Sequence, residues 1–284
     1  MRFAALSLAL VLAFTASALA EPRWTTLPPT PTLPKATRSG HVPVDGVRIW
    51  YAEFGRGEPV ILLHGGLGNS NYWGNQVPAL AKRYRVVVID SRGHGRSTRN
   101  EQSYLYELMA SDVVAVMKHL KVDRAAIVGW SDGAIVGLEL AIHHPDRVSR
   151  VFAFGANSDP SGVNEGGLRS PTVTAFLARA EKEYAELSST PTAFKAFADD
   201  IGKMWATQPR ITKEQLNGIR VPVWIVDGDH DEMIQRENTE SMAAGIPGAG
   251  LLLQPEVSHF AMLQDPELFN RDVLHFLEHA GGGR

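Results

Sequence analysis

The chain has 284 residues, no cysteine and a formal charge of −3, with 44% hydrophobic and 21% charged residues. That length can bury one sizeable core and makes one domain with at most an inserted piece. The balanced charge speaks against nucleic acid or an acidic membrane surface as partner, and the lack of cysteine excludes disulfides, thiolate metal sites and thiol catalysis.

Taken in chain order, residues 1–20 place Arg2 before an apolar run from Phe3 to Phe14 and end in Ala18-Leu19-Ala20. This is a secretory signal pattern with an A-x-A cleavage site. The run of about 12 residues is too short for a bilayer core, which needs about 20. The expectation is export and cleavage after Ala20, a periplasmic or secreted protein, and no stable membrane anchor. Residues 21–40 hold five prolines and several threonines, which suits an extended Pro/Thr-rich linker. His41 to Val44 and Val47 to Phe54 flank Asp45-Gly46, a hairpin signal.

Pro59 to Leu63 then reads as a buried strand ending in His64-Gly65-Gly66-Leu67-Gly68. The pattern predicts a helix over Tyr72 to Tyr84 and a strand over Arg85 to Asp90. The loop Ser91-Arg92-Gly93-His94-Gly95-Arg96-Ser97 leads to a helix from about Tyr104 to Leu120. Arg124 to Val128 is apolar and strand-like, and Ala134 to Ile142 reads as a buried helix. Between them lies Gly129-Trp130-Ser131-Asp132-Gly133. Strand, G-x-S-x-G and helix make a nucleophile elbow: the flanking glycines let strand and helix nearly touch while Ser131 is lifted into the open. The helix N-terminus then aims backbone N–H groups at any negative charge developing there.

Arg150 to Phe154 is a further strand. From residue 156 to 220 the alternation gives way to helical segments, Thr172 to Leu187 and Thr192 to Met204, without a convincing strand. This reads as a helical cap inserted over the C-terminal edge of a core formed by residues 41–155 and 221–284, where open α/β sheets bind ligands. Val221 to Val226, a helix near Asn238 to Ala244, the strand Leu251 to Gln254 and a helix from Glu267 to Ala280 complete the pattern. Apolar strands alternating with helices imply a mostly parallel sheet flanked by helices.

In this order the motifs resemble the α/β-hydrolase family, in its serine hydrolase branch, from about Val44 to Ala280. A strand ends in a His-Gly loop, His64 to Gly66; another enters a D-x-R-G-x-G-x-S loop, Asp90 to Ser97; the elbow follows one helix later. Gly228 to Asp231 match the family's late G-x-x-D, and His259 follows the last strand. The resemblance implies an α/β-hydrolase fold with a small helical cap and a catalytic set of Ser131, Asp231 and His259, in the family's chain order. His259 would take the serine proton and Asp231 would hold the imidazole tautomer. The oxyanion would sit on the backbone N–H groups of Asp132 and Gly66, with Leu67 as the alternative to Gly66. Some relatives carry the acid after the preceding strand, where Asp159 would be the candidate. Trp130 beside the nucleophile is similar to elbows of valacyclovirase-like hydrolases and of cofactor-free haloperoxidase and esterase relatives.

Other chemistries fit less well. Asp227, Asp229, Asp231 and Glu232 resemble the start of an EF-hand, but Glu232 stands where that loop needs glycine and Asn238 where it needs a bidentate glutamate. The glycine loops complete neither G-x-G-x-x-G nor G-K-[ST], and the adjacent His143 and His144 diverge on a helix end, so no cofactor and no metal are expected. Serine at the elbow excludes the family's aspartate-dependent dehalogenases and epoxide hydrolases. His64 and His94, both in glycine loops, are expected to hydrogen-bond backbone. The expected activity is hydrolysis of a small or medium carboxylic ester through an acyl-enzyme, with lactones, amides and C–C bonds as alternatives. The rival of another class is a ligand-binding sensor of hydrolase fold. Leu67, Trp73, Trp130 and Phe260, with Tyr72 and Met262, are candidate pocket walls, and Trp205 belongs to the cap. Asp132 is expected to support the helix start, the alternative being a contact with a cationic substrate.

Overall fold

A computed structural model describes residues 21–280; the expected signal segment, residues 1–20, lies outside the described residues. The hairpin strands are β1 (Arg38–Val44) and β2 (Val47–Gly55). They meet at Asp45 and Gly46, both at positive φ, the backbone that a tight two-residue hairpin turn demands. There follow β3 (Glu58–Leu63), α1 (Val77–Leu80), β4 (Tyr84–Ile89), α2 (Tyr106–His119), β5 (Ala125–Trp130), α3 (Asp132–His143) and β6 (Val148–Phe154). Helices α4 (Pro171–Leu187), α5 (Phe194–Trp205) and α6 (Lys213–Gly218) come before β7 (Val223–Gly228), α7 (Arg236–Gly245), β8 (Gly250–Gln254), α8 (Ala261–Gln264) and α9 (Pro266–His279).

Among the described residues the strands form one eight-stranded sheet in the order β1-β2-β4-β3-β5-β6-β7-β8. The hairpin adds to β4 in antiparallel fashion, and β4, β3, β5, β6, β7 and β8 run parallel. All six residues of β5 are buried, as expected of a central parallel strand covered on both faces. Neighbouring residues of β6 show the two layers. Val151 lies under Gly137 of α3, whereas the ring of Phe152 packs edge-on against Phe269 and Phe276 of α9. Because successive strand side chains point to opposite faces, α3 and α9 cover opposite sides of the sheet.

Two sequence expectations are corrected. The helix expected over Tyr72 to Tyr84 is broken into a 3-10 turn over Ser70–Trp73 and the single turn α1. Pro78 lacks the N–H that a continuous helix needs and so sits in the first turn of a new one, and Gly74 passes against Pro31 and the carbonyl of Thr32. The Pro/Thr-rich segment is extended but is not a free linker. Strand β1 starts at Arg38, and Leu27, Leu33 and Ala36 pack on the core. Arg179 of α4 donates to the carbonyls of Leu27 and Pro28, Gln264 of α8 donates to that of Thr26 at 2.8 Å, and Trp24 stacks on His230.

Candidate active site

Strand β5 carries the chain between β3 and β6 and stops at Ser131, whose backbone is left-handed at φ 54° and ψ −121°. A non-glycine residue adopts that conformation only where its surroundings force it. Here the forcing contacts are glycines. A Cβ on Gly129 would stand 2.3 Å from the carbonyl oxygen of Gly133, and one on Gly133 would stand 2.1 Å from that of Leu63 at the end of β3. The strand, the turn and α3 are therefore closed against each other, and the Ser131 N–H is tied to the Phe154 carbonyl at 2.8 Å.

Asp231 follows β7 and His259 follows β8, and the sheet brings their loops together. His259 Nδ1 and Asp231 Oδ2 are 2.7 Å apart, both side chains nearly fully buried. The other Asp231 oxygen accepts the N–H groups of Met233 and Ile234 at 2.7 and 2.9 Å. Burial pushes the Asp231 carboxyl up, but the His259 charge, its hydrogen bond and those from Asp227 and the Ile234 N–H outweigh it and hold the group below the usual carboxylate range. Burial pushes the His259 imidazole down, and Asp231, Glu232 and Asp132 together outweigh that and raise it. Behind Asp231, burial and its neighbour's negative charge push the Asp227 carboxyl well up, while Thr239 donates to it at 2.7 Å. Asp159 is elsewhere: its carboxylate caps the turn at Ser161 and does not meet His259.

Ser131 and His259 open into one cavity of about 420 Å³ under the cap, with Gly66 and Asp132 in the same wall. Asp132 begins α3, so its N–H has no intrahelical partner. Its carboxylate is buried and accepts Tyr106 Oη at 2.7 Å and Trp205 Nε1 at 3.0 Å. Burial pushes this carboxyl up to about 6 against the pull of those two donors. The Cα of Gly66 faces both groups, for a Cβ there would lie 2.4 Å from Asp132 Oδ2 and 2.4 Å from the Trp205 ring. Asp132 stands in the first turn of α3, but its carboxylate accepts from Tyr106 and Trp205 rather than from the helix's own N–H groups, and it is part of the cavity wall.

Of the expected pocket residues, Trp130 and Phe260 line the cavity, and Trp130 Nε1 also donates to the His259 carbonyl at 2.8 Å. Trp73 does not line it. It is fully buried against Phe269 of α9, at the end of the 3-10 turn that replaces the expected helix. Leu67 is buried at φ 59° outside the cavity lining, as are Tyr72 and Met262. The apolar walls come instead from the cap and its approaches, including Val163, Val173, Phe176, Leu177 and Ile234. Tyr106, Trp205 as a donor to Asp132, and Glu232 carry no sequence signal, because each acts through a partner far away in the chain.

Away from Gly66, the glycine loops hold the scaffold together. Asp90 accepts the N–H and hydroxyl of Ser70 and the N–H of Arg96, and Arg92 makes a two-pronged ion pair with Asp112 of α2 at 2.6 Å. His64 accepts the Ser91 N–H at 3.0 Å, and His94 Nδ1 lies 2.9 Å from the Arg92 carbonyl. Burial drives His94 down to about 3, so it stays neutral. Among the described residues no group of three or more His, Asp or Glu is placed to hold a metal ion. A serine on a strained turn, an imidazole held by a buried carboxylate and free N–H groups beside them can carry out nucleophilic acyl transfer.

Comparison with known proteins gives the family of the chain. The family model for the alpha/beta hydrolase fold matches residues 58–191. Serine hydrolase BPHL of Homo sapiens is 30% identical over 258 residues, covering 84% of this chain and 86% of that protein. The putative carbamate hydrolase RutD of Caulobacter sp. (strain K31) is 29% identical, covering 76% of this chain and 90% of its own. Among solved structures, Est816, described as an N-acyl homoserine lactone degrading enzyme, superposes with a TM-score of 0.70 at 31% identity, covering 84% of this chain and all of that one.

Proposed function

From the premise that the chain belongs to the α/β-hydrolase family, we propose that it is a serine hydrolase of small or medium carboxylic esters. The observation that carries the reading is the left-handed Ser131 in one cavity with a His259 ring that is held by Asp231 at 2.7 Å. In this reading His259 Nε2 takes the Ser131 proton as the hydroxyl oxygen attacks the ester carbonyl. The tetrahedral oxyanion is met by the N–H groups of Asp132 and Gly66, worth about 2.7 to 4 kcal/mol for each donor. Collapse of the intermediate releases the alcohol with the proton from His259, and water then hydrolyses the acyl-enzyme by the same route. The apolar walls and a volume of about 420 Å³ suit a compact acyl group better than a polymer. A lactone or carbamate would use the same steps, and such substrates are named for Est816 and RutD.

Asp132 favours a second, narrower reading. Its carboxylate is in the cavity wall, and among the described residues no lysine or arginine pairs with it. A substrate bearing an amino group would supply that missing charge. The experiment for the main reading is fluorophosphonate labelling with the modified peptide mapped by mass spectrometry. Labelling of Ser131 that is lost in Ser131→Ala and His259→Ala supports it; a folded protein that takes no label argues for the sensor instead.

Export rests on the pattern of residues 1–20, outside the described region, and we propose cleavage after Ala20. N-terminal sequencing of the protein from periplasm and medium tests it, and a cytoplasmic chain that keeps Met1 refutes it. Among the described residues no helix is long and apolar enough to cross a membrane.

A further inference from the structure

One carboxylate hydrogen-bonds both the cap and the histidine loop, which also meet where the Phe176 ring of α4 packs on Phe260. Glu232 follows Asp231 directly, and its two oxygens face different partners. One accepts the backbone N–H of His259 at 3.1 Å, and the other accepts the hydroxyl of Thr172. Thr172 is the second residue of cap helix α4 and is buried, so the carboxylate sits at that helix's N-terminus, where the helix dipole favours negative charge.

The surrounding backbone fixes this junction. A Cβ on Gly167, in the turn leading to α4, would stand 2.4 Å from the Glu232 carbonyl oxygen, so only glycine lets the cap come this close. The Asn164 N–H donates to the Met233 carbonyl at 2.7 Å, and the Gln235 N–H donates to that of Gly162 at 2.9 Å. His259 in turn is held at three points: its ring by Asp231, its carbonyl by Trp130 and its N–H by Glu232. Two of those anchors belong to the sheet's loops and the elbow. Glu232 is the one of the three that hydrogen-bonds to the cap, which Trp130 meets only by packing on the Phe176 ring.

We propose that Glu232 is a positioning residue: it ties the first turn of α4 to the backbone of His259, so that the seated cap holds the imidazole in register with Ser131. The proposal rests on the serine hydrolase reading above. A cap that lifts would take Thr172 from Glu232 and loosen the histidine, so that turnover is favoured only over an enclosed substrate. The charge of Glu232 acts on the same ring. The other acidic groups around it are Asp231 and, at the start of α3, Asp132, with Asp227 behind Asp231 and Glu165 across the cavity.

The test uses two variants and two readouts. Glu232→Gln can keep its one oxygen on the His259 N–H and turn its amide N–H2 to the Thr172 hydroxyl as donor, but it removes the negative charge that favours the imidazolium. The titration of the His259 ring followed by NMR, and the acid limb of fluorophosphonate labelling, should both move to lower pH. Thr172→Val keeps the charge and cuts the tie, so labelling of Ser131 should slow by roughly tenfold, the scale of one lost hydrogen bond to a charged group, and Thr172→Ser should restore it. A His259 titration unmoved in Glu232→Gln overturns the proposal, as does labelling of Thr172→Val at the wild-type rate. If Glu232→Gln does not fold, the Thr172 pair decides. If the unaltered protein takes no label on Ser131, the hydrolase reading fails, while the NMR titration still reports whether Glu232 acts on His259.

Discussion

Replacing Gly133 by alanine puts the elbow's geometry to a quantitative test. The new methyl would stand 2.1 Å from the Leu63 carbonyl oxygen, 2.4 Å from its carbonyl carbon and 2.7 Å from the His64 oxygen. Ordinary contacts need about 3.5 Å, so the start of α3 and the end of β3 must part by at least about 1 Å. No side chain can swing away to relieve this, because every atom met is main chain. The cost should therefore reach the upper end of overpacking penalties, about 3 kcal/mol. Activity should suffer separately. Leu63 lies three residues before Gly66, and Asp132 directly precedes Gly133, so the same separation pulls the two proposed oxyanion donors apart. A misplacement of about 1 Å costs roughly a hundredfold in rate. Urea unfolding followed by tryptophan fluorescence gives the first quantity and time-resolved fluorophosphonate labelling the second. Gly218→Ala, where an added methyl meets nothing within 4 Å, is the control and should change neither. A Gly133→Ala protein as stable and as reactive as the unaltered one would refute the account of why the turn is strained.

Two further substitutions separate the neighbouring acids. Asp231→Asn should cut labelling by several orders of magnitude through loss of the tautomer it holds, on the scale of about 10⁴ known for such a change, whereas Asp159→Asn should leave it within about twofold; the reverse ranking would move the acid to β6. Asp132 is expected to show in the pH dependence of stability. Its folded carboxyl is raised from 3.8 to about 6 by burial, so the stability it permits is complete below its unfolded value and is lost as pH rises through about 6. Relative to Asp132→Asn, the unaltered protein should lose about 3 kcal/mol between about pH 4 and pH 7. Parallel unfolding curves for the two proteins across that window would show that the buried carboxylate is not strained by its surroundings.

What the sequence made legible was local or ordered along the chain. The elbow could be read because strand, turn and helix are contiguous and the two glycines have one steric reason to be there. Asp231 and His259 are legible only through the family's late G-x-x-D and the histidine after its last strand, and the fold sets the two side chains 2.7 Å apart. Trp73 was misplaced because its direction depends on Gly74 and Pro78 breaking a helix that the apolar periodicity alone would continue. Leu67 is likewise buried, at a left-handed φ of 59°, and does not line the cavity. The cavity's apolar lining, the Tyr106–Asp132–Trp205 cluster and the Glu232 junction lie between segments tens of residues apart, and nothing in a helical periodicity says which rotation a cap helix will present.

The order in which the docked N-terminal segment meets its partners bears on how the chain folds. Thr26 is held by Gln264, 238 residues away, and Thr30 by Glu183, 153 residues away. The segment is synthesised first, and its sites on α4 and α8 come late or last. Closing such long loops is paid for before any contact rewards it, which slows folding and leaves the final docking to a nearly complete chain. During synthesis the segment stays undocked and the cap lacks its outer fastening. Loss of residues 21–36 after folding should therefore free α4 on one side and uncover the core where Leu27, Leu33 and Ala36 pack.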